Sequence, residues 1–184
     1  MSSSNLRKSA GLVGIAFFLI HAGALILTDS YHHLLWSCHL GCLLVGIGLL
    51  IPSKWIYAVG SAWMVLGVPL WLQNIQSGGE VMPTSFISHI GGLLLAIYGL
   101  RHIEIPRYLW VAATVALFCL VLVTRLLTPP TENINLAFTV WTGWETIFPS
   151  YFWYGCIMLA LAALVFFLFE KLARNYQQKR CRQE

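Results

Sequence analysis

Six apolar stretches separated by short connectors constrain the fold of this chain more than any other feature. They cover approximately residues 10–28, 33–52, 54–72, 84–100, 107–127 and 151–172. A membrane core about 30 Å thick takes a helix of about 20 apolar residues. The runs are continuous rather than alternating, which excludes barrel strands. We therefore predict an all-α polytopic bundle of six transmembrane helices, which occupies residues 1–184 as a single membrane domain.

The composition agrees with this fold class. Hydrophobic residues make up 58% of the chain and charged residues only 10%, whereas soluble domains carry about 25% charged residues. The first stretch is longer than the apolar region of a typical signal peptide. No convincing small-residue cleavage site precedes Asp29, so we predict that this stretch is retained as a helix. We expect membrane lipids and other membrane protein subunits as partners, and no nucleic acid.

The basic residues predict the orientation in the membrane. With the N-terminus in the cytoplasm, all but one of the 11 lysines and arginines lie on the cytoplasmic side, as the positive-inside rule requires. They are Arg7, Lys8, Lys54, Arg101, Arg107, Lys171, Arg174, Lys179, Arg180 and Arg182. We therefore predict that both termini are cytoplasmic, and we expect the inner (plasma) membrane of a bacterium. The net charge of +4 indicates contact with anionic lipid rather than with nucleic acid.

Several polar side chains fall at one depth. At about 1.5 Å per helical residue, His21, Cys38, His39 and His89 share a layer in the outer half of the membrane, with Cys42 one turn further in. Polar groups at such a depth usually face the bundle interior or a cavity. Cys38 and Cys42 share a helix face, from which His39 is turned by about 100°. We therefore expect that Cys38 and His39 do not both reach one shared centre.

The fourth stretch carries small and polar residues at helical spacing, which predicts that His89 points into the bundle. This stripe consists of Ser85, His89, Gly92, Ala96 and Gly99.

The five cysteines do not predict a disulfide. Cys38 and Cys42 lie one helical turn apart, which separates their Cβ atoms by about 5–6 Å, and a disulfide takes about 3.5–4.5 Å. Cys119 and Cys156 are predicted to pack in the core.

Three segments resemble, in order and spacing, the YwaF-type family of six-helix membrane proteins. They read "LLWSCHLGCLLVGIGLL", "SFISHIGGLLLAIYGL" and "LTPPTENINLAF". The resemblance covers roughly residues 30–170. It implies that Cys38 matches the family's helix-two cysteine and that His89 matches the histidine of its helix-four Ser-His pair. Asn133 and Asn135 fall where the family has an Asn-Tyr motif, although this chain reads Asn-Ile-Asn there.

The resemblance also implies a chemistry, because eukaryotic relatives include membrane acyltransferases that use Cys and His, and more distant lipid-ester hydrolases. The first hypothesis is therefore thiol-based acyl transfer or hydrolysis on a lipid ester. Cys38 is the candidate nucleophile and His89 the group that accepts its proton. Arg125 is expected to hold an anionic head group, and an asparagine to polarise the ester carbonyl. The candidate substrate-binding residues are Arg125, Asn133, Asn135 and His21.

Two alternatives stay open, and the sequence assigns neither a cofactor nor definite metal ligands. In the first, His21, His39 and His89 supply imidazoles to a haem, or Cys38 and Cys42 bind a soft metal together with a histidine. In the second, the chain is a non-catalytic accessory or lipid-binding subunit, whose polar residues only hold the helices together.

Overall fold

A computed structural model of the chain describes residues 2–79 and 81–183. The fold is all-α, as predicted, with 77% of the residues helical and no β-strand in those two ranges. Its helices are α1 (Ser3–Leu27), α2 (Ser37–Leu50), α3 (Lys54–Gln76), α4, α5 (Leu109–Leu127) and α6 (Tyr151–Cys181). Helix α4 is continuous but changes helix type along its length. It consists of an α-helical segment at Pro83–Phe86, a π-helical turn at Ile87–Gly91, and a second α-helical segment at Gly92–Gly99.

Within these ranges, 4 helices are long and apolar enough to cross a membrane: α1, α3, α5 and α6. Helix α2 has only 14 residues, because its predicted first turn is instead a 3₁₀ helix at Tyr31–Leu35. Helix α6 continues beyond residue 172 into the basic tail. A crossing by all six helices remains a prediction.

Helices α1, α2 and α3 pack closely through small residues. A Cβ atom on Gly46 of α2 would lie 2.7 Å from the backbone nitrogen of Ile15 in α1. A Cβ atom on Gly48 would lie 2.5 Å from the Cα atom of Tyr57 in α3. Such small residues let apolar helices approach until their backbones touch. These contacts hold the second half of α2 firmly between its neighbours.

The small and polar stripe of α4 faces inward, as predicted. Its members Ser85, His89, Gly92, Ala96 and Gly99 are all buried. The π-helical turn lies within the stripe and contains Ser88 and His89. π-Helical turns are rare, and many of them lie at functional sites.

The prediction for two cysteines is wrong. Cys119 and Cys156 are exposed on the outside of the bundle rather than packed in the core. On a membrane helix, the outward surface is as apolar as the interior, so hydrophobicity alone does not predict which side a cysteine faces.

The bundle has two distinct ends. We call one the terminal end, where α1 begins, where α6 ends, and where residues 51–53 and 100–108 connect helices. The other is the histidine end, formed by residues 28–36, 77–79, 81–82 and 128–150. The last of these segments is long, and contains short 3₁₀ helices at Pro130–Glu132 and Ile134–Leu136.

Candidate functional site

Three buried side chains meet at the histidine end. Cys38 and His39 begin α2, and His89 comes from the π-helical turn of α4. One ligand atom from each lies within 4.8 Å of the other two. We call this group the Cys–His–His cluster.

The expectation that Cys38 and His39 cannot share a centre is wrong. The rotation of about 100° between adjacent helical residues applies to their Cα–Cβ bonds. An imidazole places its ring nitrogens well beyond Cβ, and this reach brings His39 back to Cys38 and His89. Sequence reasoning placed Cys38, His39 and His89 at one depth but did not expect Cys38 and His39 to share a centre.

His39 is held in one tautomer by its neighbours. Its Nδ1 atom lies 2.7 Å from the carbonyl oxygen of His33, which can only accept a hydrogen bond. His39 Nδ1 therefore carries the proton, and in the neutral ring Nε2 keeps its lone pair. The His33 side chain is itself bonded to the carboxylate of Glu132 at 2.8 Å, on the surface of the histidine end.

His89 is held in the same way. Its Nδ1 atom donates to the carbonyl oxygen of Ser85 at 2.8 Å, so its Nε2 atom also keeps a lone pair. The ring of Trp71 stacks on the imidazole, with the centroids 4.5 Å apart and the planes 10° from parallel. His89 Nε2 is buried and has no hydrogen-bond partner within residues 2–79 and 81–183. The ring is therefore fixed with a free lone pair inside the bundle.

His21 from α1 contacts this cluster through His39. The two Nε2 atoms lie 3.1 Å apart. Because His39 Nε2 has no proton, His21 Nε2 must donate, which leaves His21 Nδ1 to accept from the Thr84 hydroxyl at 2.8 Å. His21 is 2% exposed, so this pair of bonds lies inside the protein.

Cys42 lies apart from the cluster. It is fully buried one turn further along α2, and its thiol contacts the carbonyl oxygen of Gly14 at 3.6 Å. It therefore offers a matched control for Cys38.

The other predicted substrate-binding residues lie outside the cluster. Arg125 is exposed, with its guanidinium carbon 5.6 Å from the ring centre of Phe138 and 5.3 Å from that of Tyr151. Asn133 bonds to the backbone of its own loop, at Phe138 and Thr139. Head-group or ester binding by these residues stays a prediction.

Asn135 instead positions the cluster. Its side-chain oxygen accepts from the backbone N–H of Ser37 at 2.8 Å, at the start of α2. Its amide group donates to the Leu35 carbonyl at 2.7 Å and to the Thr124 hydroxyl at 3.1 Å. The side chain therefore fixes the first turn of α2, which carries Cys38 and His39. An oxyanion role for Asn135, which requires a free amide donor, stays a prediction.

A separate cavity of about 540 Å³ lies in the loop region of the histidine end. Residues between Phe138 and Tyr151 line it, and the Cys–His–His cluster contributes none of its walls.

Chemically, the cluster joins a thiol to two imidazoles that carry a lone pair on Nε2: the lone pair of His89 has no partner among the described residues, and that of His39 accepts from His21. Histidines that bind metals usually donate their other ring N–H to a carbonyl or carboxylate, which fixes the tautomer. His39 and His89 both show this arrangement. The chain matches no protein-family model, curated protein or solved structure in comparisons with each.

Proposed function

We propose that this chain is an integral membrane protein that binds one transition-metal ion through Cys38, His39 and His89. The observation that carries the proposal is the buried, unpartnered Nε2 atom of His89, with a thiol and a second imidazole within 4.8 Å. Leaving a buried polar group unpaired costs about 1–3 kcal/mol. A bound metal ion removes that cost and takes up the lone pairs of both imidazoles.

The donor set selects the class of metal. Thiolate and imidazole ligands suit Zn²⁺, Co²⁺ and copper ions, whereas Mg²⁺ and Ca²⁺ prefer oxygen ligands. A coordinating thiol loses its proton to become a thiolate. One thiolate and two imidazoles also leave a fourth tetrahedral position open, as in many zinc sites that bind a further ligand.

The proposal includes the membrane topology predicted from the charges, with six crossings and both termini in the cytoplasm. At 1.5 Å per residue the 14 residues of α2 span about 21 Å. The preceding 3₁₀ helix of 5 residues adds about 10 Å, so together they match a membrane core about 30 Å thick. The metal site then lies in the outer half of the membrane.

Labelling of Cys181 tests this topology. In sealed right-side-out vesicles that carry a variant with Cys181 as its sole cysteine, a membrane-impermeant maleimide is expected to label it only after detergent is added. Labelling of intact vesicles would contradict a cytoplasmic C-terminus.

Metal content of the purified protein tests the metal site. Protein loaded with zinc in detergent and then dialysed is expected to retain one zinc ion per chain by elemental analysis. Cys38→Ser, His39→Gln and His89→Gln are each expected to lose tight binding, since each removes one of three ligands. Cys42→Ser, the matched control, is expected to retain it. Equal zinc content in all five proteins, or none in the wild type, would contradict the proposal.

A second candidate function is thiol-based acyl transfer of the YwaF type, which the short approach of Cys38 to His89 favours. In that reaction the thiol gives its proton to His89 Nε2, and the sulfur attacks an ester carbonyl to form a thioester and release the alcohol.

Alkylation of Cys38 in metal-free membranes separates the two candidates. Rapid labelling at neutral pH that falls in His89→Ala would support acyl chemistry. Protection of Cys38 by added zinc, which depends on both His39 and His89, would support the metal site.

A further inference from the structure

We infer that His21 supplies the fourth ligand of the metal site and that Thr84 sets its tautomer. This inference rests on the proposed metal binding by Cys38, His39 and His89. It adds a third helix, α1, to the coordination sphere and makes the site a closed one with four protein ligands.

The spacing of the nitrogens supports the assignment. A tetrahedral zinc ion with Zn–N bonds of about 2.0–2.1 Å holds two nitrogen ligands about 3.3 Å apart. His21 Nε2 lies 3.1 Å from His39 Nε2, close to that separation. The two rings meet edge to face, with centroids 4.4 Å apart. His21 lies outside the group of ligand atoms within 4.8 Å of one another, so we infer that its ring turns towards Cys38 and His89 when the ion binds.

Burial supports it as well. The His21 side chain is 2% exposed, and its only polar contacts within the described residues are to His39 and Thr84. An imidazole on a lipid-facing helix is costly unless it has a partner in the bundle. The position of His21 beside a metal ligand gives it that partner.

Thr84 allows His21 to change from hydrogen-bond donor to metal ligand without a change of charge. A threonine hydroxyl both donates and accepts. Without metal, Thr84 donates to His21 Nδ1, and His21 Nε2–H donates to His39. With metal, the proton resides on His21 Nδ1 and is donated to the Thr84 oxygen. His21 Nε2 then offers its lone pair to the ion, while His39 Nε2 is freed to do the same.

X-ray absorption spectroscopy of the zinc-loaded protein tests the inference, because multiple scattering counts imidazole ligands. The wild type is expected to show one sulfur and three imidazoles. At saturating zinc, His21→Ala is expected to show one sulfur and two imidazoles and a weaker zinc affinity. Thr84→Val removes the hydroxyl, and loss of such an outer partner typically weakens metal affinity about 10–100-fold. Thr84→Ser, the matched control, keeps the hydroxyl and is expected to keep the affinity.

The outcomes separate this inference from the proposed function. A wild-type site with only two imidazoles, unchanged in His21→Ala, would overturn the inference and leave the proposed site intact. Absence of tight zinc binding in the wild type would overturn both. If His21→Ala fails to fold, equal zinc affinities for Thr84→Val and Thr84→Ser would overturn the role of Thr84, and the wild-type imidazole count alone would decide the role of His21.

Discussion

The two ends of the bundle use their buried polar side chains differently. At the terminal end these side chains bond to the backbone where helices begin and end. The buried carboxylate of Glu170 accepts from the N–H groups of Tyr108 and Trp110 at the start of α5, at 3.2 and 3.3 Å. The Gln177 amide donates to the carbonyl oxygens of Leu100 and Ile103. Such contacts satisfy backbone groups that a helix end leaves without partners.

At the histidine end, buried side chains bond to the backbone as well, but some of them also contact one another. His21 bonds to His39 and Thr84 through ring nitrogens, and His89 Nε2 has no hydrogen-bond partner among the described residues. The requirements of helix ends explain the polar residues of the terminal end. They do not explain an unpartnered imidazole nitrogen beside a thiol. This difference is why we propose a binding role for the histidine end and only a structural role for the terminal end.

Replacement of Glu170 is expected to have the largest effect on stability. Glu170→Ala removes the acceptor of the partly buried hydrogen bonds from the N–H groups of Tyr108 and Trp110. A typical hydrogen bond contributes about 0.5–1.5 kcal/mol, so the two together contribute about 1–3 kcal/mol. Thermal unfolding in detergent is expected at a markedly lower temperature, with zinc stoichiometry unchanged in the folded fraction. Glu170→Gln keeps one acceptor oxygen and is expected to lose less. If Glu170→Ala lost zinc binding but kept its thermal stability, the proposed difference between the two ends would be contradicted.

Two glycines in the interface between α2 and α3 allow the two ends to be compared, because Gly67 lies near the histidine end and Gly48 near the terminal end. A Cβ atom at Gly67 would lie 2.6 Å from Cys38 Cβ, and one at Gly48 2.5 Å from Tyr57 Cβ. Overpacking of this kind costs about 1–3 kcal/mol, so Gly67→Ala and Gly48→Ala are expected to lower stability to similar extents. Only Gly67→Ala displaces a metal ligand, so only it is expected to weaken zinc affinity in a competition titration. Equal zinc affinity for the two variants would contradict this.

The two asparagines of the long loop give a smaller contrast. Asn135 has a φ of 53° and Asn133 one of 43°, and glycine adopts such angles without strain. Asn135→Gly releases the first turn of α2 and is expected to cost about 1 kcal/mol, as the loss of a helix cap does. A modest fall in zinc affinity should accompany it. Asn133→Gly affects only its own loop and is expected to leave affinity unchanged, which a parallel titration checks.

The smallest expected effect lies at the terminal end, in the response of His102 to pH. Partial burial, and then the positive charges of Arg180, Arg7 and Arg101, lower the pKa of His102 below its ordinary value. The folded state therefore prefers the neutral ring. This residue's contribution to stability is full above a pH of about 6.5 and is lost as the pH falls below it.

Replacement of His102 by glutamine is expected to make unfolding slightly less sensitive to acid, with zinc binding at neutral pH unaffected. NMR titration of the wild-type ring checks the direction. A midpoint above the ordinary histidine value would show that the sign is wrong.

Much of this fold could be predicted because apolar length and composition are local properties of the sequence. These two properties predicted the all-α class and the approximate positions of the six helices. The 3₁₀ helix before α2 and the π-helical turn around His89 could not be predicted in this way. Both depend on how neighbouring helices pack rather than on the residues of the segment alone.

The candidate site was predicted in part for a similar reason. Depth along a helix depends only on residue number, so Cys38 and His89 could be assigned to one layer. The orientation of the His39 ring depends on its contacts with the His33 carbonyl and with His21. Both partners lie outside α2, so the geometry of an ideal helix does not predict this orientation. The role of Asn135 at the start of α2 arises because the long loop returns to Leu35 and Ser37, far away in the sequence.

Titration of the metal-free protein with cobalt, followed by absorption spectroscopy, tests the central claim most directly. A thiolate bound to Co²⁺ gives a charge-transfer band in the near ultraviolet. The account predicts that this band saturates at one cobalt per chain, disappears in Cys38→Ser, and persists in Cys42→Ser. A band that is absent from the wild type, or that survives the loss of Cys38, would contradict it.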